Sequence, residues 1–291
     1  TANRRAYTAS IPDAVRATPM RHMWRTADHA RLKRTTLEAV PTSCGSFSDY
    51  ALGCRAFPIP EPEGGGVMHL VWEGPHGLGF NTTSAWPQRW RNVRAVEFVF
   101  SRSGVPWIEP RCTVRSVVPL ASGGSRIIMA TTCWKMFTAR GGAMWSPHEK
   151  PDCAPIGCGG LFPRRIENVE NLVGLRGHEG QFAVDSTAGV VSYTPAEGET
   201  GAPALTVAAS NALIEGSPGA HHLSFEGITF ELNARGPEHI EGDLGFVDDQ
   251  AGYFYVPRNS PGAINISAHD LMPIADAQMG LHPAFALEGV P

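Results

Sequence analysis

Apolar and polar residues alternate along most of this chain, and alternation is the signature of half-buried β-strands. VMHLVWEG (67–74), AVEFVFS (95–101) and GQFAVDSTAGVVSYTP (180–195) all carry it. In the last of these, FAVD and VVSYTP flank STAG, which predicts a hairpin. TVRSVVPL and RIIMATT flank ASGGS and predict a second one, and Thr206 to Ala208 predict a further short strand. Helical spacing is scarce. Ile166, Val169, Leu172 and Val173 predict one short amphipathic helix over 166–175. RAFPIPEPEGGG (55–66) reads as a loop or linker by composition.

From about residue 220 the pattern changes. LSFEGITF (223–230) alternates, slips phase at Glu226–Gly227 and alternates again. MPIADAQM (272–279) repeats that spacing with a slip at Ala275–Asp276, and INIS (264–267) supplies another short strand. Two bent units of one pattern predict successive turns of a parallel β-helix, whose backbone must turn a corner on every coil. The expected fold is mainly β: a basic N-terminal segment with a disulfide loop (1–64), a β-rich accessory domain (65–210), and the first coils of a parallel β-helix (211–291), incomplete here.

Composition agrees with strands and turns. Gly 32 and Pro 24 make up roughly a fifth of 291 residues, well above the usual ~12 %. No apolar run approaches the ~20 residues of a membrane-spanning helix, and the start TANRRAYTAS lacks the apolar core of a signal peptide. Net charge is −4, unevenly spread: residues 1–40 hold eight Arg/Lys against three Asp/Glu, and residues 211–291 hold two against eleven. The basic segment reads as a solvated face or arm. An acidic body argues against nucleic acid as a partner.

Six cysteines fall into three sequence-local pairs, Cys44 with Cys54, Cys112 with Cys133, and Cys153 with Cys158. Cys112 and Cys133 flank the predicted hairpin, which makes a cross-strand bridge geometrically reasonable. The alternative is six buried thiols in a reducing compartment. Disulfides imply an oxidising compartment and therefore a secreted protein. No CxxC spacing points to zinc.

The phrases WRNVRAVEFVF (90–100), WIEPRCTVRSV (107–117), RIIMATTCW (126–134), RIENVENL (165–172), GQFAVDSTAGVVSYTPAEGE (180–199), HHLSFEGITF (221–230) and GFVDDQAGYF (245–254) together resemble the N-terminal half of secreted actinobacterial right-handed parallel β-helix proteins of the pectate-lyase-like superfamily. The family pattern of a strand, D-x-x-x-G, a strand and x-P-x-x-G-E is matched by Asp185, Gly189, Pro195, Gly198 and Glu199. The resemblance implies a carbohydrate-active protein. It also implies further coils carrying the catalytic carboxylates, supplied by a continuation or by a second protein chain that completes the helix. It is specific for architecture and weak for substrate.

Candidate chemistry concentrates in Glu238–Asp243 and Asp248–Gln250, a polar stretch between the two coil-like units. Glycoside hydrolysis needs one protonated and one ionised carboxyl. Asp248 or Asp249 with Glu241 supply the candidate catalytic pair, and His239 and Gln250 are candidate substrate contacts. The competing readings are a solvated acidic loop and a Ca²⁺ site built from Asp243, Asp248 and Asp249. No cofactor is otherwise required. Of His221 and His222, one is expected to face inward and one outward, and His269 lies at a corner that would face a cleft. Trp86 and Trp145 sit in Pro/Gly-flanked loops and are the candidate sugar-stacking rings, although most Trp in a β-rich domain belong to the core.

There is no GxSxG, Walker A, dinucleotide fingerprint or HExxH. Thr1 reads as an arbitrary terminus, and Asn81-Thr82-Thr83 is a formal glycosylation sequon. The leading expectation is a part of a secreted glycoside hydrolase. The alternatives are a polysaccharide lyase, which the Lys/Arg-poor C-terminal region disfavours, and a non-catalytic carbohydrate-binding or cell-surface subunit.

Overall fold

The computed structural model describes residues 5–16, 20–38, 56–59, 66–71, 79–100, 108–130, 163–208, 213–216, 218–232, 246–249, 252–255, 278–281 and 285–287. They are mainly β. Their only helical elements are short 3₁₀ turns, such as Trp86–Arg89 and Glu170–Leu172. Four strands come from the N-terminal stretch: β1 (Tyr7–Ser10), β2 (Met23–Arg25), β3 (Lys33–Arg34) and β4 (Thr36–Glu38). They are followed by β5 (Ala56–Ile59), β6 (Gly66–Val71), β7 (Gly79–Thr82), β8 (Glu97–Phe100), β9 (Ile108–Pro119) and β10 (Ser125–Met129). Next come β11 (Pro163–Glu167), β12 (Gln181–Asp185), β13 (Val190–Tyr193), β14 (Leu205–Val207) and β15 (Ile214–Gly216). The last four are β16 (Phe246–Asp249), β17 (Gly252–Tyr255), β18 (Gln278–Leu281) and β19 (Phe285–Leu287).

Eleven of these strands form one sheet that curls into a half-barrel, in the order β18-β17-β16-β9-β10-β7-β6-β5, with β8 beside β9, β11 beside β8 and β4 beside β11. A second sheet runs β1-β13-β12-β3, and β2 pairs with β14. The N-terminal stretch therefore threads through three sheets and is no solvated arm. Its β1 and β3 flank the β12–β13 hairpin, and its β4 closes the large sheet against β11.

Alternation sorts the large sheet into two faces. Leu37, Phe98, Cys112, Val114 and Ile166 point to one side and join Phe80, Trp86, Trp90, Ile127 and Met129 in the larger core. Ile11, Met23, Leu32, Phe182, Val184 and Tyr193 form a second core beneath the smaller sheet. Cys112 is fully buried, and no described cysteine is free. Its expected partner Cys133, and the other four cysteines, lie outside the described residues.

Both predicted hairpins are present, β9–β10 around Leu120–Gly124 and β12–β13 around 186–189. In the second, Asp185 Oδ1 accepts the Ala188 amide at 2.9 Å and Gly189 has φ +70, so these motif residues build the turn. Glu199, the last residue of the motif, accepts the Tyr193 hydroxyl at 2.7 Å, the Ala196 amide at 2.8 Å and Arg25 Nη1 at 2.7 Å.

Several expectations are corrected. Residues 166–175 are not a helix: β11 runs to Glu167, Asn168 takes φ +65, and only Glu170–Leu172 turn as 3₁₀. Ile166, Val169 and Leu172 are all buried, but on an irregular path whose spacing imitates a helix. Ala56–Ile59 of the presumed linker form β5, which among the described residues pairs only with β6, an edge position that tolerates Pro58. Residues 218–232 contain no strand, and Leu223, Phe225, Ile228 and Phe230 are exposed. Met279 pairs with Phe254 in antiparallel β18–β17 and does not stack on the earlier unit. A parallel β-helix is therefore not seen among the described residues, whose parallel pairs are β3–β12 and β15–β19. INIS lies outside the described residues.

Candidate functional site

The large sheet turns its second face away from the apolar core, and that face is charged. Glu97 on β8, Glu109 and Arg111 on β9, and Arg165 and Glu167 on β11 belong to it, because each is two residues from the next or opposite it in register. Arg21 and Arg34 reach the same face from the N-terminal stretch. At the centre, Glu97 accepts from Arg21 Nε at 3.0 and 3.1 Å, from Arg21 Nη2, and from Arg34 Nη1 at 2.5 Å. Arg111 Nη1 lies 3.5 Å from Glu97 and 2.7 Å from Glu167 Oε2. Arg111 Nη2 donates to Glu109 Oε1 at 2.7 Å, and Arg165 Nη2 donates to Glu109 Oε2 at 2.9 Å. Arg165 Nε closes the ladder on Glu167 Oε1 at 2.5 Å.

Exposure rises steadily along this ladder. Side-chain exposure is 1 % at Glu97, 11 % at Glu167, 13 % at Arg111, 24 % at Arg165 and 31 % at Glu109. The buried end locks the N-terminal stretch to the sheet, and the open end reaches solvent.

Burial is the largest influence on Glu97 and pushes its carboxyl up. The charges of Arg21, Arg34 and Arg111 outweigh it and hold the group well below the ordinary carboxylate range. The same contest takes Glu167 down to about 2, with Arg111 the leading cation. Burial also raises Glu109, but Arg111 and Arg165 win and lower it. All three carboxylates are thus ionised near neutral pH. None of them is suited to act as a general acid.

The open end runs on into the next strand. β16 registers Phe246 opposite Arg111, Asp248 opposite Glu109 and Asp249 opposite Ile108. Neighbouring strand residues lie on opposite faces. By register, Asp248 shares a row across the strands with Glu109, and Asp249 falls in the neighbouring row with Ile108.

Of the other expected residues, Glu241, His239, Gln250, His269 and Trp145 lie outside the described residues, as does Asp243. Trp86 is buried at 7 % and packs edge-on against Trp90 at 5.6 Å, so it is a core ring and not a stacking platform. His221 and His222 are both exposed, which corrects the inward–outward expectation. Among the described residues no group of three or more His, Cys, Asp or Glu is arranged to hold a metal ion. No described helix is long and apolar enough to cross a membrane. Glu109, Arg111 and Arg165 escaped the sequence reading. The available signal was the i, i+2 pairing of opposite charges in IEPR and RRIE, where a strand would place both on one face.

Fold and site together define a mainly β protein with a charged ladder on the face of a curled sheet opposite its larger apolar core. No family model matches the chain, and no curated protein matches it. Among solved structures, one described as "Glycoside hydrolase" is similar, with a TM-score of 0.38 at 16 % identity over 73 % of this chain. The match covers 30 % of that chain, so the present chain spans under a third of its length.

Proposed function

We propose that the chain is part of a carbohydrate-active protein that hydrolyses glycosidic bonds, with Asp248 and Glu109 as a carboxylate pair. The observation that carries this reading is the register of Asp248 opposite Glu109 at the solvent-reaching end of the ladder. Directly opposed residues of antiparallel strands have Cβ atoms about 4.5–5.5 Å apart, so two carboxyl-bearing side chains start from adjacent positions here. Retaining glycosidases hold their carboxyl groups about 5–5.5 Å apart and inverting ones about 6.5–9.5 Å. Glu109, held ionised by two guanidiniums, suits the nucleophile or base, which leaves the acid to Asp248 or to Glu241. His239 and Gln250 remain the substrate contacts proposed from the sequence.

The test is release of reducing ends from a panel of soluble polysaccharides by the natively purified protein, with Asp248→Asn and Glu109→Gln alongside. Loss of roughly 100-fold or more in turnover, with an unchanged circular dichroism spectrum, is the expected result. Saturable binding with no turnover by the wild type would favour a non-catalytic binding subunit. Ultraviolet-absorbing unsaturated ends would favour a lyase.

A second protein chain belongs to the same reading. It is motivated by the exposed Leu223, Phe225, Ile228 and Phe230, with the parallel pair β15–β19 as the start of the implied coil. Native mass spectrometry of the purified protein tests it, and a bare monomer would refute it. Secretion is inferred from the cysteine pattern alone, and Ca²⁺ remains an alternative occupant of the acidic loop.

A further inference from the structure

The polarity of segment 222–231 reads the same in both directions. Its apolar residues Leu223, Phe225, Ile228 and Phe230 are symmetric about the Glu226–Gly227 bond. Ser224 mirrors Thr229, and His222 mirrors Glu231. The four apolar side chains are exposed by 56, 44, 58 and 36 %. The rings of Phe225 and Phe230 meet edge-on at 6.0 Å, so both halves of the segment turn apolar groups to one side. With side-chain areas of the order of 150–250 Å², these fractions leave roughly 400 Å² of apolar surface in one patch, a size that marks interaction sites.

The backbone is open as well. Residues 218–232 hold no strand, and none of the described backbone hydrogen bonds is made by residues 221–224 or 226–229. Open backbone groups beside an apolar row are a template for strand pairing. One end of the segment is anchored to the body, because Glu231 lies 2.8 Å from His29 Nδ1.

We propose that this segment is a self-association surface, occupied by a second copy of this chain paired antiparallel about the Glu226–Gly227 bond. The inference rests on the second-chain part of the reading above and names that chain. In a two-fold contact residue i meets residue j, and j meets i. Here Leu223 meets the partner's Phe230, and Phe225 meets the partner's Ile228. Ser224 meets the partner's Thr229. His222 meets the partner's Glu231, so no like charges stand directly opposed. Glu226 meets the partner's Gly227, and a Cβ at Gly227 has nothing within 4 Å, so its carboxylate has room. A shift of one residue either way sets every apolar position against a polar residue or glycine, and one of the two shifts sets Glu226 against itself. Two such patches face to face bury about 800 Å², short of the ~1,200 Å² of a standard interface. The dimer is therefore weak and concentration-dependent.

Sedimentation velocity of the natively purified protein from roughly 1 to 200 μM tests this, a range that suits a micromolar dimer. Wild type is expected to pass from monomer to dimer. Phe225→Lys and Ile228→Glu, both at exposed positions, should each weaken self-association roughly tenfold or more. Mixed in equal amounts, the two variants should dimerise again, because the register sets the new ammonium of one opposite the new carboxylate of the other. A dimer that both variants leave intact overturns the inference, as does a mixture of folded variants that stays monomeric. If a different chain co-purifies and wild type does not self-associate, the inference fails and the second-chain reading stands. If wild type is a bare monomer throughout, both fail. Should a variant not fold, hydrogen exchange of wild type decides the same question. Amides of 223–230 that slow as concentration rises support the dimer, and unchanged exchange overturns it.

Discussion

Asn168 meets Val184 as one strand meets another: the Val184 amide donates to Asn168 Oδ1 at 2.7 Å, and Asn168 Nδ2 donates to the Val184 carbonyl at 2.8 Å. The same Nδ2 reaches the Ala95 carbonyl at 2.8 Å, and Asn92 Nδ2 donates to the carbonyls of Asn168 and Val184 at 2.8 and 3.0 Å. Two buried amides thus satisfy backbone groups from three segments and tie the small sheet to the large one.

Asn168→Ala strips partners from buried backbone groups and should cost about 2–4 kcal/mol. Asn168→Asp should cost more at neutral pH, because it turns the donor toward two carbonyls into a second acceptor. Urea midpoints measure both. An aspartate variant as stable as wild type would remove the brace from the account.

The buried end of the ladder should be unforgiving. Glu97→Gln leaves Arg21 and Arg34 facing a neutral amide in the interior, a loss of about 3–5 kcal/mol. Arg91→Ala, which removes the exposed partner of Glu170 at 3.6 Å, should cost no more than ~1 kcal/mol. Equal thermal shifts for the two variants would contradict the burial argument.

Acid should loosen this interface. Glu97, Glu109 and Glu167 have folded pKa values below the unfolded value of about 4.3, Glu167 reaching about 2. Their contribution is therefore fully present above about pH 4.3 and is lost as pH falls toward 2, because the unfolded chain takes up protons first. The slope of stability between those limits should flatten in Glu167→Gln, read by thermal melts across pH. A wild-type stability independent of pH in that window would refute the assignment.

Alternation made the strands legible. The hairpins around 120–124 and 186–189, and strands at 66–71, 97–100 and 205–207, follow from period-two patterns bounded by turn residues. The helix over 166–175 was misread because a positive φ at Asn168 breaks a path that still buries Ile166, Val169 and Leu172. Arg21 and Arg34 read as surface charges because their partner Glu97 lies more than 60 residues away, a distance no local pattern reveals.

Two glycines should resist replacement for a reason the sequence does not display. A Cβ at Gly79 would lie 1.9 Å from the Ile127 carbonyl oxygen, and one at Gly124 would lie 2.0 Å from that of Thr82. Gly189→Ala would meet only the movable Arg16 side chain and a left-handed backbone, a cost of about 1 kcal/mol. Alanine at Gly79 or Gly124 should destabilise by more than that, and milder melting shifts there than at Gly189 would contradict the close approach of β7 and β10.

The most direct measurement compares Asp248→Asn with Asp249→Asn in the natively purified protein, scoring reducing-end release from the best substrate of the polysaccharide panel. The account predicts that the first loses roughly 100-fold or more of turnover and that the second stays near wild type, because the register gives them opposite faces. Equal losses, or loss confined to Asp249→Asn, would contradict it.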